Sequence, residues 1–113
     1  MNVTCQTDRD LPAEARKSVR EDLARRAEGR FGRFGRRVRA VSARVLDVNG
    51  PRGGVDIRCR LAVTLRGGRE VIVEETAASV REAVSGAFHR AAHAVSRRLE
   101  KARSGRRMAV AEV

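Results

Sequence analysis

Tryptophan and tyrosine are absent from these 113 residues, and Phe31, Phe34 and Phe88 are the only phenylalanines. All three fall on apolar stripes, so none is expected to offer a platform on which unpaired bases stack. That excludes an RNA-recognition-motif or OB-type reader of single strands. No apolar run approaches the roughly 20 residues that cross a bilayer. The opening Met1–Cys5 has no basic start followed by an apolar stretch, so no signal peptide is expected. Cys5 and Cys59 are too few for a disulfide framework and read as buried free thiols in a reducing cytosol. Lysine is nearly missing: only Lys17 and Lys101 occur among 25 basic residues, which leaves 23 arginines.

What is present is a hydrophobic fraction of 42%, enough for one domain with a real core rather than a disordered basic chain. The net charge is +11 and it is regional. Residues 1–29 balance six cations against six acids. Residues 30–44 carry Arg30, Arg33, Arg36, Arg37, Arg39 and Arg44 with no acid. Residues 83–113 carry Arg90, Arg97, Arg98, Lys101, Arg103, Arg106 and Arg107 against Glu100 and Glu112, whereas Glu70, Glu74, Glu75 and Glu82 face Arg81 alone in 70–82. Such segregation suggests a polyanionic partner.

Periodicity orders the elements. Val3, Cys5 and Thr7 alternate with polar neighbours and predict a short first strand. Pro12 suits a helix start. Val19, Leu23, Ala27, Phe31 and Phe34 then form the stripe of a long first helix, whose end is blurred by Gly29, Gly32 and Gly35. Val41, Ala43 and Val45 mark a second strand. Asn49–Gly54 is a loop, and Ile57, Cys59, Leu61, Val63 and Leu65 make the cleanest strand of the chain. Gly67-Gly68 is a tight hairpin turn to a fourth strand at Val71 and Val73. Ser79 with Glu82 fits a capping box opening a second amphipathic helix of about six turns. Residues 104–113 read as a flexible basic C-terminal tail after a single domain spanning 1–103.

The order β-α-β-β-β-α predicts an α+β two-layer sandwich, a four-stranded sheet with both helices on one face. A right-handed crossover makes the first two strands parallel, and hairpins make the rest antiparallel. Both helices then finish at the same end, beside the Gly67-Gly68 turn. That gathers Arg30, Arg33, Arg36, Arg37, Arg39, Arg66, Arg69, Arg97, Arg98, Lys101 and Arg103, while Glu14, Glu74, Glu75 and Glu82 fall toward the other end. Cations at helix C-termini complement the macrodipole at about 0.3–1 kcal/mol each. That accounts for a few arginines but not for an acid-free stretch that runs on through a loop into a strand.

Other chemistries find little. His89 and His93 have the i, i+4 spacing of a helical metal pair, but Arg90 follows His89 where a metalloprotease has Glu, and no third ligand is evident. No serine sits in a nucleophile elbow, and neither histidine has a triad partner in view. Gly50–Gly54 lacks the Lys-Ser/Thr ending of a phosphate loop. No enzyme activity, catalytic residue, metal or cofactor is expected.

Several strings, in order, resemble one family. They are the opening Val3–Asp8; Arg33-Phe34 followed by Arg36-Arg37-Val38; Asp47–Gly54 with Arg58-Cys59 after it; Ser79–Val84; and the basic run Arg97–Lys101. Over about residues 2–103 the chain resembles the ribosome hibernation-promoting factor and ribosome-associated inhibitor family, also called sigma-54 modulation proteins, in a divergent branch and in its short form. The resemblance implies a cytoplasmic factor that binds the small ribosomal subunit in the channel used by messenger and transfer RNA and blocks translation under stress or in stationary phase. Its contacts would be basic side chains on ribosomal RNA phosphates: Arg90, Arg97, Arg98, Lys101 and Arg103 from the second helix, and Arg33, Arg36, Arg37 and Arg39 ahead of and into the second strand. No membrane or small-molecule substrate is expected, and the chain is expected to be a monomer off the ribosome. A general binder of structured RNA and an interaction module for an acidic protein remain the alternatives.

Overall fold

Alternating apolar residues in the strands and a four-residue apolar repeat in the helices must bury one face each, and they do so against one another. The computed structural model describes residues 1–9, 11–48 and 56–111, with side chains described as far as Lys101. The elements are β1 (Asn2–Thr7), α1 (Ala13–Phe31), a 3-10 segment (Gly32–Arg37), β2 (Val38–Asp47), β3 (Ile57–Leu65), β4 (Glu70–Ala77) and α2 (Val80–Ala111). The strands lie in the order β1-β2-β3-β4. β1 runs parallel to β2, with Val3 beside Val41 and Cys5 beside Ala43. β2–β3 and β3–β4 are antiparallel, with Val45 beside Cys59 and Leu61 beside Val73. This is the expected α+β arrangement.

The sheet's inner face carries Val41, Ala43, Val45, Ile57, Cys59, Leu61, Val63 and Leu65, all buried. From α1 come Val19, Leu23, Ala27 and Phe31. From α2 come Ala83, Val84, Ala87, Phe88, Ala91, Ala92 and Val95. Three phenylalanine rings tie the layers: Phe31 lies 5.8 Å from Phe88 and 6.5 Å from Phe34 between centroids, both tilted. Leu11, unremarked in the sequence, is also buried, in the turn where its N–H donates to the Asp8 carbonyl at 3.2 Å.

The α1 stripe is interrupted where the glycines stand. Phe31 ends the α-helix and Phe34 belongs to the 3-10 segment, which contains Gly35 at φ 59°, ψ −132°. A side chain there would meet its own backbone, so glycine allows the reversal that turns the chain from α1 into β2. At α2 the Ser79 hydroxyl accepts from the Glu82 N–H at 3.2 Å, the serine half of the expected capping box. The helix then runs on through Ala111, so residues 104–111, expected as a tail, continue it. The Asn49–Gly54 loop lies outside the described residues, as do 112 and 113.

β4 breaks its own alternation. Its inner row reads Val71, Val73, Glu75, Ala77, which places a carboxylate on the helix side. Gly86 makes room: a Cβ there would come within 2.7 Å of Glu75 Cγ. Arg90 Nη1 closes the arrangement, 3.2 Å from Glu75 Oε2, while donating to the Glu74 carbonyl at 2.8 Å.

Cys5 and Cys59 are both free thiols. Cys59 is fully buried and Cys5 half-buried. They sit on β1 and β3 with β2 between, about two interstrand spacings or ~10 Å apart, too far for a bridge. Burial pushes the Cys59 thiol from 9.0 up to about 12, and Cys5 is also raised by burial, against a lowering by Arg20.

Two predictions follow from this core. Truncating Phe31 to Ala removes the ring that both other phenylalanines touch, and a urea titration should show a loss of about 3–5 kcal/mol. Because the folded-state thiol pKa of Cys59 lies above its unfolded value, the associated stability is intact below pH 9.0 and is lost as pH climbs toward about 12. Urea midpoints measured across that window should decline, and Cys59→Ala should flatten the decline.

Candidate nucleic-acid interface

The end of the sheet where α1 finishes is assembled from three chain segments. The 3-10 segment contributes Arg33, Arg36 and Arg37, with Arg30 just before it in the last turn of α1. Phe34 sets two of these side chains. Its ring is 8% exposed, with the Arg33 guanidinium carbon 4.6 Å and that of Arg37 6.0 Å from the centroid. Arg37 Nε also donates to the Phe34 carbonyl at 3.1 Å. Cation–π contacts of this kind contribute about 0.5–1 kcal/mol each when exposed, enough to bias where a guanidinium points. Sequence reading assigned Phe34 to the core alone. Its second role as a guanidinium support was legible only as Arg33 adjacent and Arg37 three residues on.

β2 then opens with a bulge: the register to β3 shifts between Val38 and Ala40, leaving Arg39 as the extra, exposed residue. The second segment is the β3–β4 hairpin. Gly67 and Gly68 take φ of 96° and 89° in the turn, with Arg66 and Arg69 exposed on either side. The Arg66 N–H donates to the Arg37 carbonyl at 2.8 Å, which fastens the hairpin to the 3-10 segment. The third segment is α2. Arg97, Arg98 and Lys101 line an open groove of about 330 Å³ with Ala94 and with Val71 and Ile72 of β4, immediately beyond the same hairpin. Stretches about sixty residues apart in the chain thus converge on one end of the fold through the hairpin between them.

All ten of these side chains, Arg30 to Arg39, Arg66, Arg69 and Arg97 to Lys101, are exposed. Arg26–Asp22, Arg60–Glu74 and Arg90–Glu75 form ion pairs away from this end. The carboxylates on the elements at this end, Glu28, Glu70 and Glu100, do not neutralise them. Unpaired guanidiniums present planar forks of donors suited to phosphate.

Arg90, which the resemblance assigns to the RNA contacts, stands apart from these ten. It stands beside the middle of β4, engaged with Glu75 and the Glu74 carbonyl, away from the cationic end. The inward Glu75, which strand alternation gives no reason to expect, is what captures it. Arg103 lies in α2, but its side chain is outside the described residues. His89 and His93 are exposed with ring centroids 4.8 Å apart, and among the described residues no group of three His, Cys, Asp or Glu could hold a metal.

No protein-family model and no curated protein sequence matches the chain. Solved structures do. The N-terminal domain of Protein Y from Thermus thermophilus superposes with a TM-score of 0.58 at 23% identity, over 86% of this chain and 98% of that one. A ribosomal subunit interface protein from Coxiella burnetii gives a TM-score of 0.59 at 11% identity, over 88% of this chain and 96% of that one. At these identities the likeness is one of fold: the chain has the β-α-β-β-β-α architecture of these two proteins, across nearly their whole length.

Arg90 and Arg97 lie two helical turns apart and give a contrast. In a heparin-column elution, Arg97→Ala is expected to come off at distinctly lower salt than the parent. Arg90→Ala should elute close to the parent, with a stability change of no more than about 1 kcal/mol for an exposed pair.

Proposed function

We propose that this chain is a ribosome-associated translation inhibitor of the hibernation type, which binds the small ribosomal subunit by laying its cationic end on the ribosomal RNA backbone. The observation that carries the reading is the convergence of exposed arginines, outnumbering the carboxylates beside them, from two distant stretches onto one end of the fold. A fold held together by its core has no use for that concentration of like charge. The fold shared with a protein described as a ribosomal subunit interface protein supports a ribosomal partner. Supporting RNA backbone over bases are the arginine-dominated contact set and the burial of all three phenylalanines, Phe31, Phe34 and Phe88, in a chain with no tryptophan or tyrosine. The binding act is occupancy, with no chemical step. The protein acts in the cytoplasm, as a monomer until it meets the subunit, when growth slows.

Phosphate recognition makes the affinity steeply salt-dependent, because each neutralised phosphate releases condensed counterions. Six to ten contacts on a duplex cost about 10³–10⁵ in affinity between 50 and 200 mM salt, and folded RNA behaves in the same sense. The chain should therefore sediment with small subunits or whole ribosomes from stationary-phase lysate at low salt and stay at the top of the gradient at high salt. Reversing charge at Arg36, Arg37, Arg97 and Lys101 to Glu should abolish co-sedimentation at every salt. Free protein at all salts and growth phases would reject the ribosome, and equal binding to any RNA duplex would leave a general structured-RNA binder.

A further inference from the structure

The sheet has a second face, uncovered by helices, and it too is charged. Arg44 of β2 and Arg60 of β3 are paired directly across the ladder, and Arg58 follows one same-face step along β3, about 6.6–6.8 Å away. All three are exposed. Like charges placed directly opposite each other on a sheet are destabilising. Charged side chains often guard the edge strands of a sheet against pairing with other chains. That reason fails here, because β2 and β3 are the two interior strands. Solubility is no better an explanation, since it is served by mixing signs. Glu74 lies 4.0 Å from Arg60 Nε with both side chains about half exposed, a weak contact.

The positive strip continues sideways. Arg44 borders a groove of about 500 Å³ around the free edge of β1, where Arg9 and Arg20 also stand, with Asp8 among the lining. In the next row Ser42 is paired with Ala62 and Ala62 with Ile72, and Leu46 is paired with Arg58, so the guanidiniums rise beside small and apolar neighbours. The cluster lies toward the strand ends remote from the Gly67-Gly68 turn and on the side of the sheet opposite the helices. It is therefore a separate place from the cationic end.

We propose that Arg44, Arg58 and Arg60 form a second RNA-backbone site, which grips a different strand of the same folded RNA, so that the domain is clasped between two phosphate tracks. The identity of the partner rests on the RNA reading above; the residues do not. The spacing of Arg58 and Arg60 suits successive phosphates of one strand, with Arg44 beside them. An acidic protein partner would instead need an apolar anchor at the centre of its interface, whereas here the arginines hold the centre and the apolar Leu46 and Ile72 stand beside them.

The test uses the full chain, a fluorescein-labelled RNA hairpin and anisotropy titrations from about 50 to 200 mM salt. Four proteins are compared: parent, R44T/R58T/R60T, R36Q/R37Q/R97Q/K101Q, and the combination. The face variant should weaken binding and make the plot of log affinity against log salt shallower by about 2–3, roughly one per lost phosphate contact. Its melting temperature should equal or exceed the parent's, because threonine suits a strand and the repulsion is gone. R60Q alone, shallower by about 1, serves if the triple variant folds poorly. A face variant with parental affinity and slope overturns the proposal. So does loss of binding to poly-glutamate with RNA binding intact. The third protein reports on the cationic end separately: if it alone weakens, the earlier reading stands and this one falls, and the reverse result does the opposite.

Discussion

Parallel pairing of β1 with β2 is the constraint from which the arrangement follows. Two adjacent parallel strands require the chain to return across the sheet between them, and a right-handed crossover puts that return, α1, on one face. α1 must then run against both strands. Two antiparallel steps later β4 again runs with β1, so α2 is sent down the same face in the same sense as α1. Both helices consequently finish at the end where β2 begins and the β3–β4 hairpin turns. Arginines written into three separated segments share that end because no other placement satisfies the sheet.

Concentrating positive charge has an energetic consequence that the core must offset. Unpaired guanidiniums at one end, and a like-charged pair across interior strands, each oppose the compact state. Opposing them is a continuous apolar layer in which Phe31, Phe88, Leu23, Ile57 and Leu61 are fully buried. Exposed arginines can also lay their aliphatic stems over apolar surface, and Arg97 and Arg98 share their groove with Val71 and Ile72. Stability and charge are thus divided largely between opposite surfaces of the same strands and helices.

Fold-level features were legible because each rests on a local rule repeated along the chain. Alternation in Ile57–Leu65, the glycine pair of the hairpin and the serine cap of α2 all point one way. The direction of each strand then fixed where the charged segments go. Features that depend on two segments meeting were not legible. Arg90 looks like any other arginine of α2 until β4 is seen to carry Glu75 inward under Gly86. Arg44 and Arg60 read as ordinary outward strand residues, and only the β2–β3 register sets them against each other. Leu11 is buried by a turn hydrogen bond that no periodicity signals. The apolar stripe ran one position past the first helix, to Phe34 three residues beyond Phe31, because Phe34 keeps the spacing although Gly32–Arg37 has tightened to a 3-10 segment.

Phe34 belongs to two worlds at once. Its ring packs within 6.5 Å of Phe31 in the interior, and it carries the Arg33 and Arg37 guanidiniums on the outside. Interior and docking surface are therefore joined through a single side chain, with no intervening layer to absorb movement. A polyanion that immobilises those two guanidiniums also immobilises the ring beneath them, and through it the contact between the helices. Occupancy should thereby tighten the whole domain, and a loosened interior should lose its aim on the partner before it loses any charge.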